Sequence, residues 1–149
     1  MNDPVPFELP RKVVPRETES LPERKVGMGE IAVVQGSYLL RTLLGSCIGV
    51  ALYDSRRRIG GLAHIVLPNS NGNGALPGKY ADTAIPELLR QMERLGGSLP
   101  HISAKLAGGS NMFAVSGPGS IGDQNRAVVD LLLKEARIPV LGRHCGGQQ

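Results

Sequence analysis

The stretch TLLGSCIGVALYD at residues 42–54 and the stretch GGLAHIVLP at residues 60–68 decide the fold class of this chain. Both are apolar runs of strand length, and the polar segment SRR between them is typical of a turn. The pattern predicts two antiparallel strands, 46–54 and 58–68, joined near residue 55. Neither strand has a consistently polar face, so we expect other parts of the chain to cover both faces of the pair.

The rest of the sequence adds strands and two helices to this pair. The segments EIAVVQG at 30–36 and SYLLRTLL at 37–44 predict two strands joined by a turn at Gly36-Ser37. Helical spacing and further apolar runs predict a helix at 81–95, a strand at 101–109, a helix within 116–139 and a short strand at 139–147. This order indicates an α+β fold, a mostly antiparallel sheet system with helices packed outside it.

The two predicted helices have recognisable ends and faces. Asp82 is placed to cap the first helix, and Gly96-Gly97 is placed to end it. Pro139 ends the second helix. The apolar spacing of the second helix predicts a buried stripe made of Ala127, Val128, Leu131, Leu132 and Ala136.

Composition divides the chain into an arm and one domain. Residues 1–25 contain five prolines and balanced charge, which predicts a disordered or loosely draped arm. Residues 26–149 then form a single domain, whose core must be aliphatic because aromatic residues make up only 3% of the chain. The loop at 68–80 is rich in Gly, Asn and Pro, and its length is typical of functional loops.

Charge, cysteine usage and hydropathy exclude several classes of protein. The net charge is +4, the only dense basic run is at residues 56–58, and few aromatic side chains are present, which argues against nucleic-acid binding. Cys47 and Cys145 have no disulfide-framework spacing. Neither a signal-peptide core nor a run long enough for membrane insertion is found, so we expect a cytoplasmic protein with reduced thiols.

Two polar residues lie inside the apolar strands and form a candidate catalytic pair. Cys47 follows Gly45-Ser46, and the backbone N–H groups of Ser46 and Cys47 are suited to an oxyanion hole. His64 lies 17 positions later, which suits two residues at the same end of a hairpin. The pair is then either core filler or a nucleophile with its base, the second giving a thiolate–imidazolium pair at neutral pH. The hydroxyl of Thr42 is a candidate to orient the imidazole ring.

Metal and phosphate chemistry compete for the same residues. The potential metal ligands have no C-x-x-C or H-x-x-x-H spacing, and they are Cys47, His64, His101, His144 and Cys145. The glycine-rich stretches GGSN and GPGSIG match neither the P-loop nor the dinucleotide-binding pattern. We therefore expect no metal and no cofactor.

Taken in order, several blocks of this sequence resemble the CheD family of chemoreceptor glutamine deamidases. The blocks are TLLGSCIGVALYD, GGLAHIVLP, PGKYADTAIPELL, KLAGGSNMF and IGDQN, and the match runs from about Gly27 to Gly147. The resemblance implies a β-sandwich-like core flanked by two helices, similar to that of cysteine deamidase toxins. It also implies a role in bacterial or archaeal chemotaxis, with methyl-accepting chemoreceptors as substrates.

The resemblance assigns a role to each candidate residue. Cys47 matches the family's nucleophile, His64 its general base and acid, and Thr42 the group that orients the histidine. Some members have this threonine six residues before the cysteine, whereas Thr42 lies five before, which would turn its side chain to the other face of the strand. Members usually continue past the final Gly-Gly, so the resemblance also implies that a C-terminal strand is missing here.

Other functions stay open at this point. Some CheD proteins bind chemoreceptors or the CheC phosphatase as regulators, and an adaptor of that kind would need neither Cys47 nor His64. A cysteine protease or a transglutaminase would use the same pair of residues.

Overall fold

The computed structural model describes residues 21–109 and 119–145. Most of the predicted N-terminal arm, residues 116–118 of the second helical segment and the last two residues of the predicted final strand lie outside this part of the chain. The last two residues of the stretch GGSN, at 110–111, also lie outside it. The predicted truncation of the C-terminal strand concerns residues outside it as well.

The described residues form one five-stranded sheet, one two-stranded sheet and two α-helices. The strands are β1 (Glu23–Lys25), β2 (Ile31–Gln35), β3 (Leu39–Arg41), β4 (Ile48–Asp54), β5 (Ile59–Ile65), β6 (Ile102–Gly108) and β7 (Val140–Cys145). The helices are α1 (Ala81–Arg94) and α2 (Ile121–Glu135), and single 3₁₀ turns cover Pro77–Lys79 and Leu99–His101. The predicted α+β class is confirmed.

The five-stranded sheet has the order β2-β5-β4-β6-β7. Its β2–β5, β5–β4 and β4–β6 neighbours are antiparallel, and β6–β7 is parallel. The predicted hairpin of the two glycine-interrupted strands is the β4–β5 pair, in which Gly49 lies opposite His64 and Ile48 opposite Ile65. The start of β4 and the end of β5 therefore lie together at one edge of the sheet.

The hydrophobic core lies between one face of this sheet and both helices. Strand β4 contributes Ile48, Val50 and Leu52 to it, in the alternation that one buried sheet face requires. Leu88 of α1 and Leu133 of α2 are fully buried against the same cluster. Gly49 and His64 fall on the opposite face of the sheet, since side chains alternate along each strand.

The small sheet pairs β3 in parallel with β1. The segments 30–36 and 37–44 were expected to be two strands joined by a turn at Gly36-Ser37. Strand β2 ends at Gln35, and Gly36 follows it with a φ of 89°. Strand β3 begins at Leu39, whose N–H donates to the carbonyl of Pro22 at 2.9 Å. Strand β1 also begins before residue 26, where the domain was expected to start.

Both helices differ in detail from the expectation. Tyr80, not Asp82, is the N-cap of α1, and the carboxylate of Asp82 accepts hydrogen bonds from the N–H and hydroxyl of Ser70. The predicted stripe of α2 is wrong at two positions, because Ala127 is exposed and Leu131 is 54% exposed. Its other members, Val128, Leu132 and Ala136, are partly buried against the core. The fully buried residues of α2 are Gly122, Asn125, Val129 and Leu133.

A glycine contact explains the rotation of α2. A Cβ atom on Gly122 would lie 2.6 Å from the carbonyl oxygen of Gly109, so the first turn of α2 packs directly on the backbone at the end of β6. This close approach fixes which side of the helix faces inward. A count of apolar residues does not detect it, because glycine contributes no hydrophobic signal. Across residues 21–109 and 119–145, neither helix is long and apolar enough to cross a membrane.

A buried carboxylate holds the far end of the β4–β5 hairpin. Asp54 is fully buried, and it accepts N–H groups from Arg56 and Arg57 at one oxygen and from Ser98 at the other. Burial alone would raise the pKa of Asp54, but the three backbone donors outweigh it and hold this pKa below its ordinary value of 3.8. The carboxylate thereby ties the hairpin turn to the segment that follows α1.

We predict that Asp54→Ala lowers the free energy of unfolding by about 3 kcal/mol, because it leaves three inward-facing N–H groups without their charged acceptor. Urea unfolding measures this, with the exposed Glu93→Ala as control. A loss of less than about 1 kcal/mol would contradict the assignment. Folding lowers the pKa of Asp54 below 3.8. The stabilisation that its carboxylate gives the folded state is therefore fully present above pH 3.8, and it is lost as the pH falls through the pKa of Asp54 in the folded protein.

Candidate active site

A chain of two hydrogen bonds fixes the orientation of His64. The hydroxyl of Thr42 lies 2.6 Å from the carbonyl oxygen of Val26 and 2.7 Å from Nδ1 of His64. A hydroxyl has one proton, and the Val26 carbonyl can only accept, so the Thr42 O–H donates to Val26. The oxygen of Thr42 must then accept from His64, which places the proton of the neutral imidazole on Nδ1.

The other ring nitrogen of His64 is left as an unprotonated base. His64 is 3% exposed, and its Nε2 atom has no hydrogen-bond partner among the described residues. Burial lowers the pKa of His64 below its ordinary value of 6.5, while the carbonyl of Val26 acts in the opposite direction. At neutral pH the ring is therefore uncharged, with the lone pair of Nε2 free to take a proton.

Thr42 reaches His64 although it lies five residues before the cysteine. The side chain was expected to turn to the other face of a continuous strand, but β3 ends at Arg41 and β4 begins only at Ile48. The intervening loop breaks the alternation, so strand parity does not apply to Thr42. The loop thus brings Thr42 and His64 into contact.

Cys47 lies directly before β4, at the end of the loop that follows β3. It precedes Gly49, the residue opposite His64, by two positions. Cys47 and His64 therefore lie at the same end of the β4–β5 hairpin, with no hydrogen bond between their side chains among the described residues. Cys47 is half-buried.

Two glycines at the end of β6 hold the backbone of Cys47. The N–H of Gly109 donates to the carbonyl of Cys47 at 2.7 Å. Gly108 has a φ of 94°, and a Cβ atom there would lie 2.2 Å from the same carbonyl oxygen. The pair Gly108-Gly109 was not recognised from the sequence as part of the site. The signal was a double glycine at the end of a predicted strand, which marks a close backbone approach.

The candidate oxyanion donors are the N–H groups of Ser46 and Cys47. Within the described ranges, neither donates a backbone hydrogen bond in the turns and loops. Both residues precede the first paired residue of β4, Ile48. These donors are therefore available to a group that approaches the sulfur, as an oxyanion hole requires.

The protonation states of the pair differ from the sequence-based expectation. Burial raises the pKa of the Cys47 thiol above its ordinary value of 9.0, and burial lowers the pKa of His64. Both shifts favour the neutral forms, so the resting pair is a thiol and an imidazole rather than a thiolate and an imidazolium. Proton transfer must accompany attack on the substrate.

An open cleft lies beside Thr42 and His64, and Cys47 is not among the residues that line it. It has a volume of about 430 Å³, and its lining includes Thr42 and His64. Met28 and Leu43, which also line it, are 67% and 87% exposed. Two large apolar side chains in solvent beside a buried base are typical of a surface that contacts another macromolecule.

The other potential metal ligands of the sequence lie in other parts of the fold than Thr42 and His64. His101 lies at the opposite end of the hairpin, with Nε2 3.2 Å from Arg56, and His144 and Cys145 belong to β7. Within residues 21–109 and 119–145, no group of three or more His, Cys, Asp or Glu side chains could hold a metal ion.

A thiol with backbone N–H groups beside it and a histidine of fixed tautomer, both at one end of a hairpin, are the kinds of group that a cysteine-dependent acyl-transfer site uses. Comparison with known proteins narrows this class. A family model described as CheD chemotactic sensory transduction matches residues 66–149, and the chain belongs to the CheD family.

Three curated relatives support the assignment over most of the chain. A "Probable chemoreceptor glutamine deamidase CheD" from Clostridium acetobutylicum is 39% identical over 139 residues, covering 89% of this chain and 84% of its own. One of the same name from Methanococcus vannielii is 43% identical over 126 residues, covering 83% and 82%. The "Chemoreceptor glutamine deamidase CheD" of Thermotoga maritima is 38% identical over 128 residues, covering 85% and 81%.

One solved structure shares the fold. A crystal structure of a Neisseria meningitidis protein of the DUF152 family matches 98% of this chain and 71% of its own, with a TM-score of 0.56 and 16% identity. The likeness concerns the fold alone.

We predict that Cys47 reacts with iodoacetamide as a thiol of raised pKa. In the Cys145→Ser background, which leaves one thiol, the alkylation rate should rise with pH to a midpoint above 9.0, because burial disfavours the thiolate. Cys47→Ser with Cys145 retained is the control for the other thiol. A midpoint below 6.5 would instead show that a thiolate–imidazolium pair exists at rest.

Proposed function

We propose that this chain is a protein-glutamine deamidase that converts glutamine side chains of methyl-accepting chemoreceptors to glutamate. The main observation in its support is the fixed tautomer of His64, which leaves Nε2 as an unprotonated base in the hairpin whose same end carries Cys47. The names of the curated relatives supply the substrate class. The cytoplasm is the proposed compartment, since a cysteine nucleophile needs a reducing environment.

The first half of the proposed reaction forms a thioester. Nε2 of His64 accepts the proton of the Cys47 thiol while the sulfur attacks the carbonyl carbon of the glutamine carboxamide. The N–H groups of Ser46 and Cys47 stabilise the negative oxygen of the tetrahedral intermediate. The imidazolium then gives its proton to the departing nitrogen, the C–N bond breaks, and ammonia leaves.

The second half regenerates the enzyme with water. Nε2 of His64 takes a proton from a water molecule, whose oxygen attacks the thioester carbon. The C–S bond breaks, the sulfur recovers the proton from His64, and the side chain leaves as a carboxylic acid, which gives its proton to solvent and becomes a carboxylate at neutral pH. Thr42 holds the ring through Nδ1 in both halves. The same nitrogen, Nε2, therefore acts as the base when unprotonated and as the acid when protonated. No metal or cofactor takes part in this sequence.

The exposed side chains of the cleft support a protein substrate rather than a free amide. Met28 and Leu43 offer apolar contact beside the buried base, which suits a glutamine presented on a folded surface. Deamidation places a negative charge where a neutral side chain stood. On a chemoreceptor helix this changes charge pairing with neighbouring helices and creates a carboxylate that can be methylated.

The alternative is a regulator that binds chemoreceptors or CheC without chemistry. Such a role would not require a tautomer fixed by Thr42 or an unpaired buried nitrogen on His64. A buried nitrogen without a hydrogen-bond partner lowers the stability of the folded state. Proton transfer at Nε2 accounts for such a nitrogen, whereas binding without chemistry does not. The site therefore favours the enzyme.

Intact-mass measurement of a purified chemoreceptor cytoplasmic domain tests the proposal. Incubation with the protein should add about one mass unit per modified glutamine, the difference between an amide and an acid, by a thioester route. Cys47→Ala and His64→Gln should abolish the change, and Cys145→Ser should leave it intact. Retained binding of the receptor or of CheC with no mass change would identify an adaptor instead.

Thr42 gives a second test through the orientation of the base. We predict that Thr42→Val, which keeps the shape and removes the hydroxyl, lowers kcat for deamidation roughly 10- to 100-fold, as loss of an orienting partner does at histidine sites. Thr42→Ser retains the hydroxyl and should keep most of the activity. Equal activity of the valine and serine variants would remove Thr42 from the mechanism.

A further inference from the structure

Asn125 is a buried polar residue that the proposed chemistry does not use. It lies in α2, its side chain is 0% exposed, and its Nδ2 group donates to the carbonyl oxygen of Val66 at 3.0 Å. Its Oδ1 atom has no hydrogen-bond partner among the described residues. A leucine would fill a similar volume without an unpaired acceptor, so packing alone does not explain an amide at this position.

The carbonyl that Asn125 holds lies at the point where the β4–β5 ladder stops. The last pair of the ladder is Ile48 with Ile65, so Val66 is the next residue of one strand and Cys47 the next of the other. Val66 also follows His64 by two residues. Its N–H donates to the carbonyl of Lys79 at 2.9 Å, so both of its backbone polar groups are bound outside the ladder.

The same turn of α2 also supports Cys47. Gly122 precedes Asn125 by three residues and therefore lies on the same face of the helix. Gly122 packs on the backbone of Gly109, and Gly109 donates its N–H to the carbonyl of Cys47. One helical turn is thus linked to the backbone of Cys47 through Gly122 and Gly109, and it contacts the residue that follows the strand of His64 through Asn125.

We propose that Asn125 is a positioning residue, which sets the separation of Cys47 and His64 by binding Val66 at the end of the hairpin. By binding the carbonyl of Val66, the Asn125 amide holds the chain at the end of the hairpin, at the residue that would lie opposite Cys47 and two residues after His64. The effect on deamidation rests on the proposed function, whereas the effect on the geometry of the thiol does not.

The near-isosteric variant Asn125→Asp, in the Cys145→Ser background, tests the proposal. An ionised carboxylate repels the Val66 carbonyl, so kcat should fall by about tenfold or more, the scale expected when catalytic groups are misplaced, while KM changes less than about twofold. A protonated carboxyl can donate to Val66. The activity of the variant relative to wild type should therefore recover as the pH is lowered.

Asn125→Leu is the second variant, and Val129→Ala is the matched control. The leucine variant lacks any donor, so it should show the same loss of kcat with no recovery at low pH. Val129 is equally buried one turn further along α2 and does not bind Val66. Its substitution should lower the melting temperature and leave kcat, measured well below that temperature, unchanged.

Alkylation of Cys47 by iodoacetamide provides a readout that needs no receptor. Both Asn125 variants should alter the alkylation rate near neutral pH, and Val129→Ala should not, even if wild type fails to deamidate a chemoreceptor. Folded Asn125 variants with wild-type kcat and alkylation rates would overturn the proposal. So would an equal loss in Val129→Ala, or a failure of both Asn125 variants to fold, because each would assign Asn125 to stability alone.

Discussion

The hydroxyl of Thr42 is the interaction on which the proposed chemistry depends. It lies between the carbonyl of Val26, next to β1, and the imidazole of His64 in β5, so it links the small sheet to the large one. Because the carbonyl can only accept, the direction of both hydrogen bonds is determined, and so is the tautomer of the ring. The small sheet has one clear consequence for function, which is to present this hydroxyl and the Val26 carbonyl to His64.

The position of the cysteine depends on a second constraint, which is contact between backbones. Gly108 approaches the carbonyl of Cys47 more closely than a side chain would allow, Gly109 donates its N–H to the same carbonyl, and Gly122 allows α2 to pack on Gly109. Burial of the thiol and of the imidazole then keeps both neutral at rest. A neutral pair avoids a persistent thiolate, which would react with oxidants, and forms charge only when a substrate is attacked.

The sequence predicted the parts of this protein that depend on local pattern. Alternation in the apolar runs identified the β4–β5 hairpin, and a polar residue inside each run identified Cys47 and His64. Pairings set by distant backbone contacts were missed. The parallel pairing of β3 with β1 joins segments that no local pattern connects, and the buried face of α2 includes Gly122 and Asn125, which carry no hydrophobic signal. The Thr42 side chain was expected to turn away from His64, and it contacts His64 instead, because a loop separates β3 from β4.

The state of His64 at rest is the central claim, and ¹⁵N NMR of the histidine side chains measures it directly. The chain has three histidines, so a His64→Gln variant assigns the resonances of His64. The account predicts a neutral ring at neutral pH, with the proton on Nδ1 and an unprotonated Nε2. A proton on Nε2, or an imidazolium at neutral pH, would contradict the account.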